Sequence, residues 1–72
     1  MFQYVPVREF LSFPGLGAYQ SFGLMAYQPF GSESIFVSDV SIDSFFVSKL
    51  AYLCTKEQLD PIHLLDVVLD SI

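Results

Sequence analysis

The sequence predicts an α+β domain, residues 1–72, in which a three-stranded antiparallel β-meander (1–40) precedes an antiparallel two-helix hairpin (41–72), in the order βββαα, packed on one sheet face. Three observations carry this expectation. Alternating apolar residues interrupted by Pro-Gly turns fill the first forty positions. Apolar spacing then changes to three and four residues. Finally, Asp60-Pro61 marks the start of a second helix, running to Ile72.

Phe2 to Leu11 sets Val5, Val7 and Leu11 on one alternating face and Phe2, Tyr4 and Phe10 on the other. Pro6 has no amide to give to a ladder, so this strand belongs at a sheet edge. Pro14-Gly15-Leu16-Gly17 reads as a turn. A second strand over residues 18–27 alternates Phe22, Leu24 and Ala26 against Met25 and Tyr27. Gly23 in its middle signals a bulge or a close approach by another element. Gln28-Pro29-Phe30-Gly31 places Pro and Gly where a β-turn wants them. A third strand covers residues 34–40, and tight turns make the three a meander.

From residue 44 to 56, Val47, Leu50, Leu53 and Cys54 form a helical core stripe, with Ala51 beside them and Phe46 at its border. Ser41 or Asp43 can cap this helix, and Lys56 suits the negative end of its dipole. In the second helix Asp60 is the N-cap, and Pro61 takes the first helical position, where its missing amide costs nothing. Leu59 and Leu64 have the spacing of a hydrophobic staple. The short break between the helices predicts a hairpin.

Composition bounds the function. One cysteine excludes an internal disulfide and a cysteine metal cluster, and it fits a reducing compartment. A net charge of −5, with only Arg8, Lys49 and Lys56 positive, leaves no basic stripe for nucleic acid. Residues 10–32 carry no charge, but prolines and glycines break them into strands and turns, so no membrane span is expected. The amino terminus lacks the basic and apolar regions of a signal peptide. A cytoplasmic protein is the expectation.

Chemistry-bearing patterns are sparse. His63, Asp66 and Asp70 share one side of the last helix, which admits a metal or acid–base reading. A competent site needs further ligands, and the same three residues are the helix's only polar stripe, so the favoured reading is a solvated face. Cys54 sits on the core stripe, where a thiol behaves as a small hydrophobe rather than a nucleophile. No Gly-x-Ser-x-Gly elbow occurs, and the Gly15/Gly17 pair lacks the Lys-Ser/Thr of a phosphate loop. Neither catalytic residues, cofactor, metal nor small-molecule ligand is expected.

The anomaly is apolar excess. Hydrophobic residues are 53% of the chain and charged residues 15%, against about 25% charged in typical domains. A chain of this length has little core in which to hide them. Phe45 and Tyr52 lie off the first helix's core stripe, and Leu65, Leu69 and Ile72 crowd the second helix. Tyr4, Phe10, Met25 and Tyr27 are expected together on the second face of the sheet. Such surplus points to a protein partner, most simply a second copy in a homodimer. The expected role is therefore a small non-enzymatic interaction or regulatory protein. The alternative is an acidic inhibitor or nucleic-acid mimic that binds a basic enzyme surface.

Asp39-Val40-Ser41 with Asp43, then Val47, Leu50, Leu53, Cys54, Leu59, Pro61, His63-Leu64, Asp66-Val67-Val68 and Asp70 form a connected pattern. In these residues the carboxyl-terminal half resembles a family of short Gram-positive bacterial proteins described as domain of unknown function 6514. That family is similar in its Ile/Val-Ser-x-Asp start, Leu-Cys helix end and Pro-x-His-Leu-x-Asp-Val-Val-Glu-Asp close, and Phe22-Gly23-Leu24 resembles its Tyr-Gly-Ile. Phe45, Phe46 and Leu69 depart from the pattern, each exchanging a charge for apolar surface. The resemblance implies a bacterial, cytoplasmic protein and carries no activity.

Overall fold

A computed structural model describes residues 2–31 and 33–71. Strand β1 (Gln3–Phe13) pairs antiparallel with β2 (Gly17–Tyr27), which pairs antiparallel with β3 (Ser34–Ser41), in the spatial order β1-β2-β3. Helix α1 (Ser44–Lys56) follows, then a single 3-10 turn (Pro61–His63) that runs directly into α2 (Leu64–Ser71). This is the expected βββαα order. Among the described residues no helix is long and apolar enough to cross a membrane.

The helix ends follow from their capping chemistry. Asp43, not Ser41, caps α1, its Oδ1 accepting from the amides of Phe45 at 3.0 Å and Phe46 at 3.4 Å. Ser41 instead holds the cap in place, its Oγ accepting from the Asp43 amide at 3.0 Å. At the other end Gln58 takes the left-handed conformation (φ 52°). The Leu59 amide then reaches Cys54 O and the Gln58 amide Thr55 O, a Schellman closure without the usual glycine. Asp60 accepts from the Ile62 amide at 3.1 Å with Pro61 next to it, so the second helical segment starts where expected, although its first turn is 3-10.

Antiparallel partners share a sheet face, and here the structure corrects the sequence reading. Tyr4 pairs with Ala26 and Pro6 with Leu24, while Val5 pairs with Met25 and Gln3 with Tyr27. The face carrying Tyr4, Leu24 and Ala26 receives the helices. Tyr4 is therefore 4% exposed and belongs to the core with Val40, Val47, Leu50, Ala51, Cys54, Leu64 and Val68. Tyr4 and Phe10 do not share a face with Met25 and Tyr27, and Tyr4 is no surface residue. Both faces of β1 carry apolar side chains, so alternation alone could not say which one turns inward. The phenol decides it, because the Tyr4 hydroxyl donates to Leu59 O and can go inside with its polar tip satisfied.

The same residue fixes the free edge. The Tyr4 amide donates to Thr55 Oγ1 at 3.0 Å, and so points away from β2. The two-residue strand period turns residue 6 the same way, and proline has no amide to expose there. Thr55 and Pro6 together blunt the edge next to the core.

Gly23 fulfils both of its sequence expectations. The β2–β3 register slips between Phe22 and Leu24, with Leu24 opposite Val37 but Phe22 opposite Ser41. A Cβ at Gly23 would lie 2.6 Å from the Phe36 ring and 2.7 Å from Val37 O. Exchanging Gly23→Ala should cost about 1–3 kcal/mol in urea denaturation, since ring and backbone have to shift. An unchanged midpoint would mean that Phe36 does not rest on this glycine.

Burial pushes the Tyr4 phenol up to about 12, with Cys54 and the Asp60 carboxylate adding to the effect. Its folded value exceeds the ordinary 10.0, so its contribution is complete below pH 10 and is lost as pH rises towards 12. Tyr4→Phe should lose about 1–3 kcal/mol at pH 7, because Leu59 O loses its donor, and should flatten the stability profile between pH 10 and 12. Denaturation midpoints of both chains across that range check the expectation.

Candidate interaction surface

Helical geometry divides α1 sharply. Val47, Leu50, Ala51 and Cys54 are buried, and the 100° step per residue puts Phe45, Lys49, Tyr52 and Lys56 opposite them, within about 60° of arc. All four are exposed. In α2 and its leading turn, Leu64 and Val68 point into the core, so Ile62, Asp66 and Leu69 point outward, flanked by Leu65 and Asp70. Phe45, Tyr52, Ile62, Leu65 and Leu69 are between 56% and 82% exposed. Two helix faces thus carry large apolar groups that the fold leaves in water.

Other expected members of this surface fare differently. Tyr4 is in the core, as described above. Met25 and Tyr27 lie on the helix-free sheet face and are half-buried. Ile72 falls outside the described residues. Leu53, expected on the core stripe, is instead 42% exposed, because it faces the gap between the helices. There, Leu50, Leu53, Cys54 and Leu59 meet Val67 and Ser71 along an open groove of about 300 Å³.

His63, Asp66 and Asp70 are all exposed on α2 and its leading turn. Among the described residues no group of three or more His, Cys, Asp or Glu side chains is arranged to hold a metal. Cys54 is buried, and desolvation raises its thiol pKa, which keeps it in the un-ionised, poorly nucleophilic form.

A polar knot on the helix-free face escaped the sequence reading. The register slip gives β3 two extra residues, and Asp39 among them adopts φ 54°. Its carboxylate accepts from Ser21 Oγ at 2.5 Å and from Tyr19 Oη at 2.8 Å. Glu9 holds the other side of the bend, accepting from the Asp39 amide and from Ser38 Oγ, each at 2.8 Å. The clue was Gly23 next to a strand containing an aspartate, the kind of residue that tolerates left-handed backbone. These bonds satisfy one another and secure the bulge.

The Ser21 and Tyr19 hydroxyls hold the Asp39 carboxyl below the ordinary 3.8. A lowered folded value gives stability that is complete above the ordinary value and is lost as pH falls through the folded one. Asp39→Asn keeps the side-chain shape and the tolerance for φ 54° but cannot titrate. It should leave a shallower loss of stability below pH 3.8, as read by thermal melts down the acid range. An identical acid profile would remove Asp39 as a contributor.

No family model, curated protein or solved structure matches the chain.

Proposed function

We propose that the chain is a small non-enzymatic interaction or regulatory protein that acts through self-association. The observation that carries this reading is the pair of outward helix faces with Phe45, Tyr52, Ile62, Leu65 and Leu69 in water. Lone exposed apolar side chains are ordinary, but several large ones gathered on the outward sides of both helices are the kind of surface that marks a binding site. A second copy is the economical partner, since two-fold dimers are the commonest assemblies. The placement of both lysines on one of these faces favours this reading over an acidic inhibitor, which would present carboxylates without interleaved cations. The resemblance of the carboxyl-terminal half to domain of unknown function 6514 is compatible with such a role and names no other.

Sedimentation equilibrium from 1 to 100 μM tests the proposal. The mass should rise from the 8.1 kDa of one chain towards twice that value. A constant single-chain mass across the range, with no binding of a hydrophobic dye, overturns it.

A further inference from the structure

The outer edge of β1 is covered along one half and open along the other. The Tyr4 amide points away from β2 and is taken by Thr55. From Gln3 to Phe13 the β1–β2 register runs without a slip, so the two-residue period carries this outward direction to every even-numbered position. At residue 6 proline removes the amide. Arg8, Phe10 and Ser12 have no such cover, and all three are exposed, Phe10 to 75%. Among the described residues, the bonds made to β1 from outside its ladder go to Tyr4, the Glu9 carboxylate and Phe13, and none reaches the outer edge of residues 8–12. A row of unpaired amides and carbonyls beside an exposed aromatic is a template for another strand.

The opposite edge of the sheet offers less. Strand β3 keeps regular register with β2 only over residues 34–37, and the bend at Asp39 (φ 54°) then breaks the extended backbone. Short edges and bulges are devices that stop strand addition. The strand that fits the open edge is therefore the same edge of a second copy, and a β1–β1 contact closes at two chains instead of growing.

Strand parity and charge choose the register. An axis at Phe10 sets Arg8 against Ser12 of the second copy and Glu9 against Leu11, so every outward amide from residue 8 to 12 finds a carbonyl. An axis at Arg8 or Glu9 opposes like charges directly, and it drives the second strand past Pro6 towards Thr55. An axis at Leu11 or Ser12 shortens the ladder, because each strand ends at Phe13. With Phe10 on the axis, Phe13 of the second copy falls opposite Val7. The added strand thus ends just where proline and Thr55 take over the edge. Two Phe10 rings meet across the axis as an aromatic pair. Paired residues share a sheet face, so the axis is perpendicular to the joined sheet and both sets of helices lie on one side of it.

We propose that two copies of this chain join their sheets through residues 8–12 of β1, antiparallel about a two-fold axis at Phe10. The proposal rests on the self-association reading and adds to it a backbone contact that the helix faces do not supply.

Hydrogen–deuterium exchange at 1 and 100 μM, resolved to single residues by fragmentation, tests it. The amides of Arg8, Phe10 and Ser12 should exchange at least about tenfold more slowly at the higher concentration, while those of Glu9 and Leu11, already bonded to β2, change little. Phe10→Pro removes the ring and an outward amide that the ladder with β2 does not use, as Pro6 already does. With folding confirmed by circular dichroism, it should dimerise at least about tenfold more weakly in sedimentation equilibrium. If that chain fails to fold, Phe10→Lys takes its place and should weaken the dimer similarly, because it opposes two ammonium groups on the axis.

A dimer in which residues 8, 10 and 12 exchange equally at both concentrations, or which the folded Phe10 variant leaves unweakened, overturns the strand pairing but leaves self-association standing. A natural chain that is monomeric at 100 μM overturns both.

Discussion

The helical side of this molecule is fastened to the sheet edge through Tyr4. Its amide is taken by Thr55 near the end of α1, and its hydroxyl donates to Leu59 O just beyond that helix. Thr55 Oγ in turn donates to Ala51 O at 2.9 Å. One residue of an edge strand is thus bonded to the last turn of α1 and to the connection that follows. These bonds link positions more than fifty residues apart in a chain without a disulfide. Leu59, held at its carbonyl, also lines the groove that Val67 lines.

The tether matters because the core is too small to orient the helices by packing alone. Strands β1 and β2 have eleven residues each and run about 36 Å, whereas α1 covers about 20 Å. The far end of the hairpin is consequently bare, with Phe10, Phe13 and Leu16 exposed. The near end holds a buried cluster in which α2 contributes only Leu64 and Val68. A helix of eight residues fastened by two buried side chains has little cohesion of its own, since isolated short helices are marginal in water. Covering its outer face would add apolar contact where the single chain has least. Self-association, as proposed, would stabilise that weak element as well as remove exposed surface.

Legibility in the sequence tracked how local the determining physics was. The bounds of α1 could be read because the Asp43 cap and the Lys56 end are set within a few residues of themselves. Asp60-Pro61 likewise announced its turn, and the stripe of Val47, Leu50 and Cys54 gave the buried side of α1. The inward face of β1 was not legible. Val5 and Val7 argue for one side and Phe2 and Tyr4 for the other, and the choice depends on a carbonyl at residue 59. Leu53 was misplaced because a helical period cannot distinguish a side chain facing the core from one facing a half-open groove. The Asp39 bend was invisible for the same reason as Tyr4. Its partners, Glu9, Tyr19 and Ser21, come from two other strands.

Charge scarcity makes the remaining surface informative. With 15% charged residues, the fold has few means of keeping two apolar stripes solvated, so the location of each charge carries weight. Dispersed lysines would have raised solubility over the whole surface. Instead Lys49 and Lys56 lie seven residues apart on one helix face, while the aspartates of α2 lie on the next. Ion pairs in water contribute little, so this arrangement adds almost nothing to a lone chain. Against a partner surface, opposite charges would select an orientation more than they would strengthen the association.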